Sequence, residues 1–346
     1  MATLSACNAS CLGNNGSSNE TEAEDEDMLL SSPLIVLLSF MFLLIVAVNG
    51  LVIFLIHRKK SLRTITNMFL ASLALSDLLS ALLGIPLLVI CLVRDVIKVC
   101  LSSSVIIRFT AISSVCHVLL IACDRYIFIV HSINYHFLTT KRRAIVAILA
   151  IWLLSSLASV IQLSWHNLQE EALAEFDETA EEIDIKYILA CIALFVAVPL
   201  LLMCYLYGHI FYISFKHNKR DRQLSKNLQQ AHRSVLQEWR GRSVLLITLV
   251  IFAGCWLPFF LMVLDAHMES SPFSPVPVFL ERLLIFGCFF PQLLNPVLCT
   301  LAKKDFRHAL KEVFLPRQAP TERKHNVRFH VTRNRFGGVN QNVECD

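Results

Sequence analysis

Charge is what this chain has least of. Asp, Glu, Lys and Arg make up 17% of its 346 residues, against roughly 25% in soluble globular domains, which excludes an ordinary water-soluble globule. Glycine is also sparse: 10 residues, in no repeating triplet, stand beside 11 prolines and exclude a collagen-like chain. A composition that is 55% hydrophobic excludes intrinsic disorder for all but the ends. No cleavable signal is visible, because the first 27 residues are polar and the apolar run that follows is too long for a signal-peptide core.

What the chain has instead is long apolar runs, about Pro33–Ile56, Met68–Val93, Val99–Val130, Ala144–Trp165, Ile185–Phe215, Ser243–Ala266 and Val276–Leu301. Each has about 20 residues or more, enough at 1.5 Å per residue to cross a hydrocarbon layer of roughly 30 Å. The expectation is an all-α membrane protein, a bundle of seven transmembrane helices. Residues 1–32 form a polar tail, 33–301 the bundle, and 302–346 a cytoplasmic end.

Sidedness follows from the basic residues. Apart from Arg94, Lys98, Arg108, Arg125, Lys186 and Arg282, every Lys and Arg lies after the first, third, fifth or seventh run. The positive-inside rule puts those segments in the cytosol and the N-terminus outside. The opposite side is acidic, with Glu20 to Asp27 in the tail and Glu170 to Asp184 in the fourth loop. Asn8, Asn15 and Asn19 each open an Asn-x-Ser/Thr triplet, three clustered glycosylation acceptors that agree with an outside tail.

Several polar or helix-breaking residues sit where apolar ones would be cheaper, since a charge in a span costs about 2.5 kcal/mol or more. Asn49 lies in the first span and Asp77 in the second, and Asp124-Arg125-Tyr126 closes the third. Trp152 marks the fourth, Pro199 and Tyr207 the fifth, Cys255-Trp256-Leu257-Pro258 the sixth, and Asn295-Pro296 the seventh. With one such anchor per span, in this order and with this sidedness, the chain from Pro33 to Phe314 resembles the rhodopsin-like (class A) G-protein-coupled receptors.

The resemblance implies roles that the physical chemistry of each residue supports. Arg125 stands at the cytosolic end of the third span, within reach of Asp124 or of Glu238 at the start of the sixth. Its release implies an outward swing of the sixth span, after which Arg125 and Ile133 meet the C-terminal helix of a Gα subunit. Pro258 removes a backbone hydrogen bond and bends the sixth span beside Trp256; with Phe252 and Pro199 it forms the transmission core. Asp77, a carboxylate near mid-membrane, is protonated, paired or ion-bound; by resemblance it holds sodium with Ser114, although Pro291 stands where the family usually supplies Asn. Residues Lys303 to Phe314 alternate basic and apolar residues, with Phe306, Leu310 and Phe314 on one side, as expected of a short amphipathic eighth helix.

Departures matter as much. The tyrosine that usually closes the seventh-span motif is Cys299, so Tyr207 lacks its usual partner, and Ser132 replaces a common proline in the second inner loop. Cys100 matches the family cysteine at the top of the third span, yet the second outer loop, His166 to Asp184, contains no cysteine. The expectation is that Cys100 pairs with Cys7 or Cys11, or is free. Ile107 occupies the place of the amine-binding aspartate, which excludes amines bound in the usual way; Phe289 occupies that of the opsin lysine, which excludes a retinal Schiff base. Arg108 is an intramembrane cation that would fix an acidic ligand. Its competing role is an internal salt bridge to Asp265, Glu281 or the acidic loop. With Trp256, Phe259 and Phe260 as an aromatic floor and Glu281 at the rim, the cavity suits a lipid, a small apolar acid or a peptide end. A receptor active without ligand fits equally.

The function expected is a plasma-membrane receptor transmitting an extracellular or constitutive signal to a heterotrimeric G protein, with arrestin as a further partner, no nucleic acid and no catalytic activity. The alternatives are a non-signalling decoy or scaffold receptor, favoured by Cys299 and Ser132, and a transporter, against which stands the lack of an internal repeat.

Overall fold

The computed structural model describes residues 20–94, 96–165, 178–224, 247, 250–262, 277–302 and 304–314. Among these every regular element is helical. Five spans, Pro33–Arg58, Ile65–Arg94, Lys98–Val130, Lys141–Ser164 and Glu182–Ile213, run for 24 to 33 residues, roughly 36–50 Å at 1.5 Å each. The sixth is represented by Val250–Met262. The seventh consists of Val278–Gly287 and Phe290–Ala302, followed by the eighth helix Lys304–Phe314. The architecture is the seven-transmembrane helix bundle expected, with an amphipathic eighth helix.

The first helix differs from its apolar run. It begins at Glu20 and continues to Arg58, so the stretch that carries the acidic tail residues extends the first span outward as helix. Prolines explain the irregularities in the others. Pro86 has no N–H for the Leu82 carbonyl, and the second span widens into a π-helical turn over Ser80–Gly84. Pro199 has the same effect on the fifth span at Ile192–Ala197. In the seventh, Pro291 cannot bond the Gly287 carbonyl, and the helix breaks at Cys288 and Phe289. Pro296 leaves the Gln292 carbonyl without its intrahelical donor, and the Asn49 side-chain amide from the first span supplies one at 3.1 Å. The same amide nitrogen also donates to Ile45 O.

The third span is the hub of the bundle. Its inner half joins Leu73, Ala74, Val118, Ile121, Met203, Leu206 and Tyr207 in one core cluster. A second cluster links the first, second and seventh spans through Leu38, Ile45, Ala81, Leu88 and Phe289. Gly84 lets the second and third spans approach, since a Cβ there would meet Ile106 Cγ2 at 3.4 Å. The fourth span turns most of its large apolar side chains outward, among them Leu149, Leu153 and Leu157, as a helix facing lipid does. In the eighth helix Phe306 and Ala309 are buried against the bundle while Leu310 faces out, and Glu312 bonds Lys59 at 2.6 Å. The expected apolar side is thus divided, with Phe306 packed on protein and Leu310 exposed; the Phe314 side chain lies outside the described residues.

One expectation is overturned. Cys100 is bonded to Cys91, nine residues earlier, with Cα atoms 4.9 Å apart, and not to Cys7 or Cys11, which lie outside the described residues. The physical reason is proximity: the second helix ends at Arg94 and the third begins at Ile97, so this short connection brings the two outer helix ends together.

Candidate functional site

At the C-terminal end of the third span, Asp124 is buried and accepts from every side. Thr66 Oγ1 donates to its Oδ2 at 2.7 Å, Arg125 donates to the same oxygen through Nη2 at 2.7 Å and Nε at 3.2 Å, and the Tyr135 hydroxyl donates to Oδ1 at 2.9 Å. Arg125 also donates to Thr66 Oγ1 and lies over the Phe128 ring at 5.3 Å from the centroid. Of the two partners expected for Arg125, Asp124 is engaged; Glu238 lies outside the described residues. Burial, then the hydrogen bond to Asp124, push the Tyr135 phenol above its ordinary value, so it remains a donor at neutral pH. Tyr126 turns aside and pairs its hydroxyl with His209 Nδ1 at 3.0 Å. Ile133 is 91% exposed, an apolar side chain presented on the second inner loop.

Thr66 and Tyr135 were not legible as partners from the sequence, because neither belongs to a motif by itself. The same holds deeper in the bundle, where His117 is fully buried. Its Nδ1 lies 2.8 Å from the Ser113 carbonyl oxygen, an acceptor, so that nitrogen carries the proton. Nε2 then accepts from the Ser72 hydroxyl at 2.8 Å, and Ser72 Oγ accepts the Trp152 indole N–H at 3.0 Å. Ser76 continues the set through Ser113 at 2.9 Å. This joins the second, third and fourth spans. The sequence did carry a signal for it, an ionisable residue inside an apolar run.

Asp77 is fully buried, and among the described residues neither carboxylate oxygen meets a donor. Asn49 Oδ1, Ser80 Oγ and Gln292 Oε1 are buried in the same condition. Ser114, expected beside Asp77, accepts from Asn295 Nδ2 at 3.3 Å. The amides of Asn49 and Asn295 are therefore occupied elsewhere.

The aromatic set of the sixth span is assembled as expected. Trp256 and Phe252 are buried with centroids 6.3 Å apart, and Phe259 and Phe260 each lie 5.9 Å from Trp256. Leu200, next to Pro199, packs against this cluster with Ile107, Ala111 and Val115. The Trp256 indole N–H is buried with no acceptor among the described residues. Tyr207 is buried below, beside Met203 and Ile210. Asn295 and Pro296 are buried in the seventh span; the Cys299 side chain lies outside the described residues.

Ile107, and not Arg108, packs against the aromatic floor. A helix turns about 100° per residue, so Arg108 points instead toward the fourth and fifth spans, where it bonds Gln162 Oε1 and sits 5.1 Å from the Tyr187 ring centroid. Gln162 in turn donates to Asp184 Oδ1 at 2.9 Å. Arg108 is thus linked to the acidic loop's last residue through a neutral amide, where a salt bridge was expected. Glu281 is half-buried in the first turn of the seventh span, while Asp265 lies outside the described residues, as do Asn8, Asn15 and Asn19.

Seven spans with a buried carboxylate, an arginine held at the C-terminal end of the third and an aromatic cluster on the sixth define a transmembrane receptor bundle. Residues 48–298 match the family described as 7 transmembrane receptor, rhodopsin family, and the chain belongs to it. It is 25% identical over 291 residues to the melatonin receptor type 1A of Phodopus sungorus, covering 83% of this chain and 81% of that one. It is 27% identical over 311 residues to the melatonin receptor type 1C of Xenopus laevis, covering 87% and 72%. With the human histamine H2 receptor the identity is 24% over 301 residues, covering 82% and 80%. The chain is thus one of a family of multi-pass plasma-membrane receptors, not of enzymes, whose partners are G proteins and extracellular ligands.

Proposed function

We propose that this receptor, with its N-terminus outside and C-terminus in the cytosol, passes an extracellular or constitutive signal to a heterotrimeric G protein by outward movement of the sixth span, with arrestin as a second partner. The observation that carries this reading is the retention of Arg125 by Asp124 and Thr66 at the inner end of the third span. Such a set can exist in two arrangements, and a partner that binds the released arginine shifts the population toward the open one. Pro258 gives the sixth span a bend to pivot on, and Phe252 and Trp256 couple it to the third. Ile133, Tyr207, Asn295 and Pro296 complete the proposed coupling surface and switch.

Ligand chemistry is proposed from the aromatic cluster of the sixth span and the groups above it. Trp256, Phe259 and Phe260 take an apolar body, and the Trp256 N–H offers one donor at the floor. An acidic group reaching Arg108 competes with Gln162, which already holds one of its nitrogens, and Glu281 disfavours it at the rim. Histamine, named by one relative, does not transfer directly, because Ile107 offers no carboxylate to a cation; melatonin, named by others, is a neutral amide that needs no such carboxylate. Sodium at Asp77 with Ser114 remains a proposal. What supports it is that both carboxylate oxygens of Asp77 are buried with no donor among the described residues; a hard cation, held by oxygen ligands, would balance that charge.

The test is to express the chain in cells and compare basal cAMP and calcium signals with those of Arg125→Ala at equal surface display. Loss of the basal signal supports the proposal. Equal signals in every G-protein and arrestin channel would favour the decoy reading that Cys299 and Ser132 suggest.

A further inference from the structure

The loop between the fourth and fifth spans has no cysteine, and Cys100 is spent on Cys91. The fastening found there is polar. Trp165, just before the loop, donates its indole N–H to Asp184 Oδ1 at 2.9 Å and so closes a separation of 19 residues. Gln162 donates to the same oxygen at 2.9 Å and offers its carbonyl to Arg108. Arg108 lies against Tyr187, whose hydroxyl donates to Ala158 O at 2.6 Å. Asp184 and Gln162 are 2% and 1% exposed. A carboxylate so far from water persists when donors answer it and a cation stands close by. An amide is suited to the middle position because it accepts from the guanidinium and donates to the carboxylate at once.

We infer that the chain Arg108, Gln162, Asp184, Trp165 is a latch that does the work of the absent loop disulfide. Gln162 and Asp184 are its positioning residues. It joins the outer ends of the third, fourth and fifth spans and holds the two ends of the second outer loop to each other. Closing a loop restricts its ends whether the link is covalent or hydrogen-bonded, but a hydrogen-bonded link opens reversibly.

The test is hydrogen exchange with mass spectrometry on the full-length receptor in lipid nanodiscs, reading peptides that span residues 178–190. Asp184→Ala and Gln162→Ala are expected to raise exchange there by roughly tenfold or more, the effect of losing charge-assisted hydrogen bonds. Gln162→Glu alone sets two carboxylates side by side and is expected to do the same. In the double variant Gln162→Glu/Asp184→Asn the new carboxylate faces Arg108 and accepts from the new amide, and exchange returns to within about threefold of the original. Unchanged exchange in the single variants would overturn the inference, as would a double variant that exchanges as fast as Gln162→Glu. Exchange is read without any G protein, so failure of this latch and failure of the signalling proposal are separate results.

Discussion

Replacing Asp124 by Asn removes the charge that holds Arg125 while keeping the side chain's size. Asp124 receives hydrogen bonds from Thr66, Tyr135 and two Arg125 nitrogens. Bonds to a charged group contribute about 1.5–3 kcal/mol each, against about 1 for neutral pairs. The side chain of Asp124 is 1% exposed but that of Arg125 is 27% exposed, so solvent screening reduces the ionic part. Only contacts absent from the open state count toward the shift. With both discounts the closed state loses about 2 kcal/mol, roughly a 30-fold change in the equilibrium. An open population of about 1% would rise to roughly a quarter. Tyr135→Phe loses one bond and no charge, so about 1 kcal/mol and roughly a fivefold shift are expected. The assay is basal second-messenger signal at matched surface display. The predicted order is Asp124→Asn above Tyr135→Phe above the original chain; all three equal, at normal display, would refute the reasoning.

Other predictions concern the rest of the bundle. Cys91→Ser and Cys100→Ser should each lower the melting temperature of the purified receptor by the same amount, equivalent to about 2–4 kcal/mol, whereas Cys7→Ser/Cys11→Ser should leave it unchanged; unequal single variants would contradict the bond. His117→Ala should destabilise by about 2–3 kcal/mol, since it leaves Ser72 and the Ser113 carbonyl short of a partner in a dry place, and a melting point within error of the original would count against the hub. If sodium binds at Asp77, replacing potassium by sodium should raise the melting temperature, and Asp77→Asn should abolish the difference; a sodium effect that survives the substitution would place the ion elsewhere.

Much of the fold was legible because a lipid solvent writes a coarse code. Long apolar runs and Pro291 or Pro296 inside a run are properties of the chain itself, and the bundle follows them. The disulfide was not legible in the same way, because the partner of Cys100 depended on how close two helix termini come. For Arg108 the expectation was an acidic ligand or an internal salt bridge; the partner found, Gln162, which relays it to Asp184, is a neutral residue with no motif. Ile107 and Arg108 are sequence neighbours that face different neighbours in space, a separation set by helix rotation once Ile107 packs on the aromatic cluster. Thr66, Tyr135, Ser72 and His117 form networks that span 11 to 80 residues of sequence, and such pairings appear only when the helices are packed.

The most direct test of the account is a distance across the inner mouth. Spin labels at Leu138→Cys on the second inner loop and Ile247→Cys at the inner end of the sixth span, both exposed sites, would be placed in a background lacking the exposed Cys204. On addition of a G protein, and also in Asp124→Asn, the account predicts a second, longer distance separated by several ångströms from the first. A single distance that neither the G protein nor the substitution moves would contradict it.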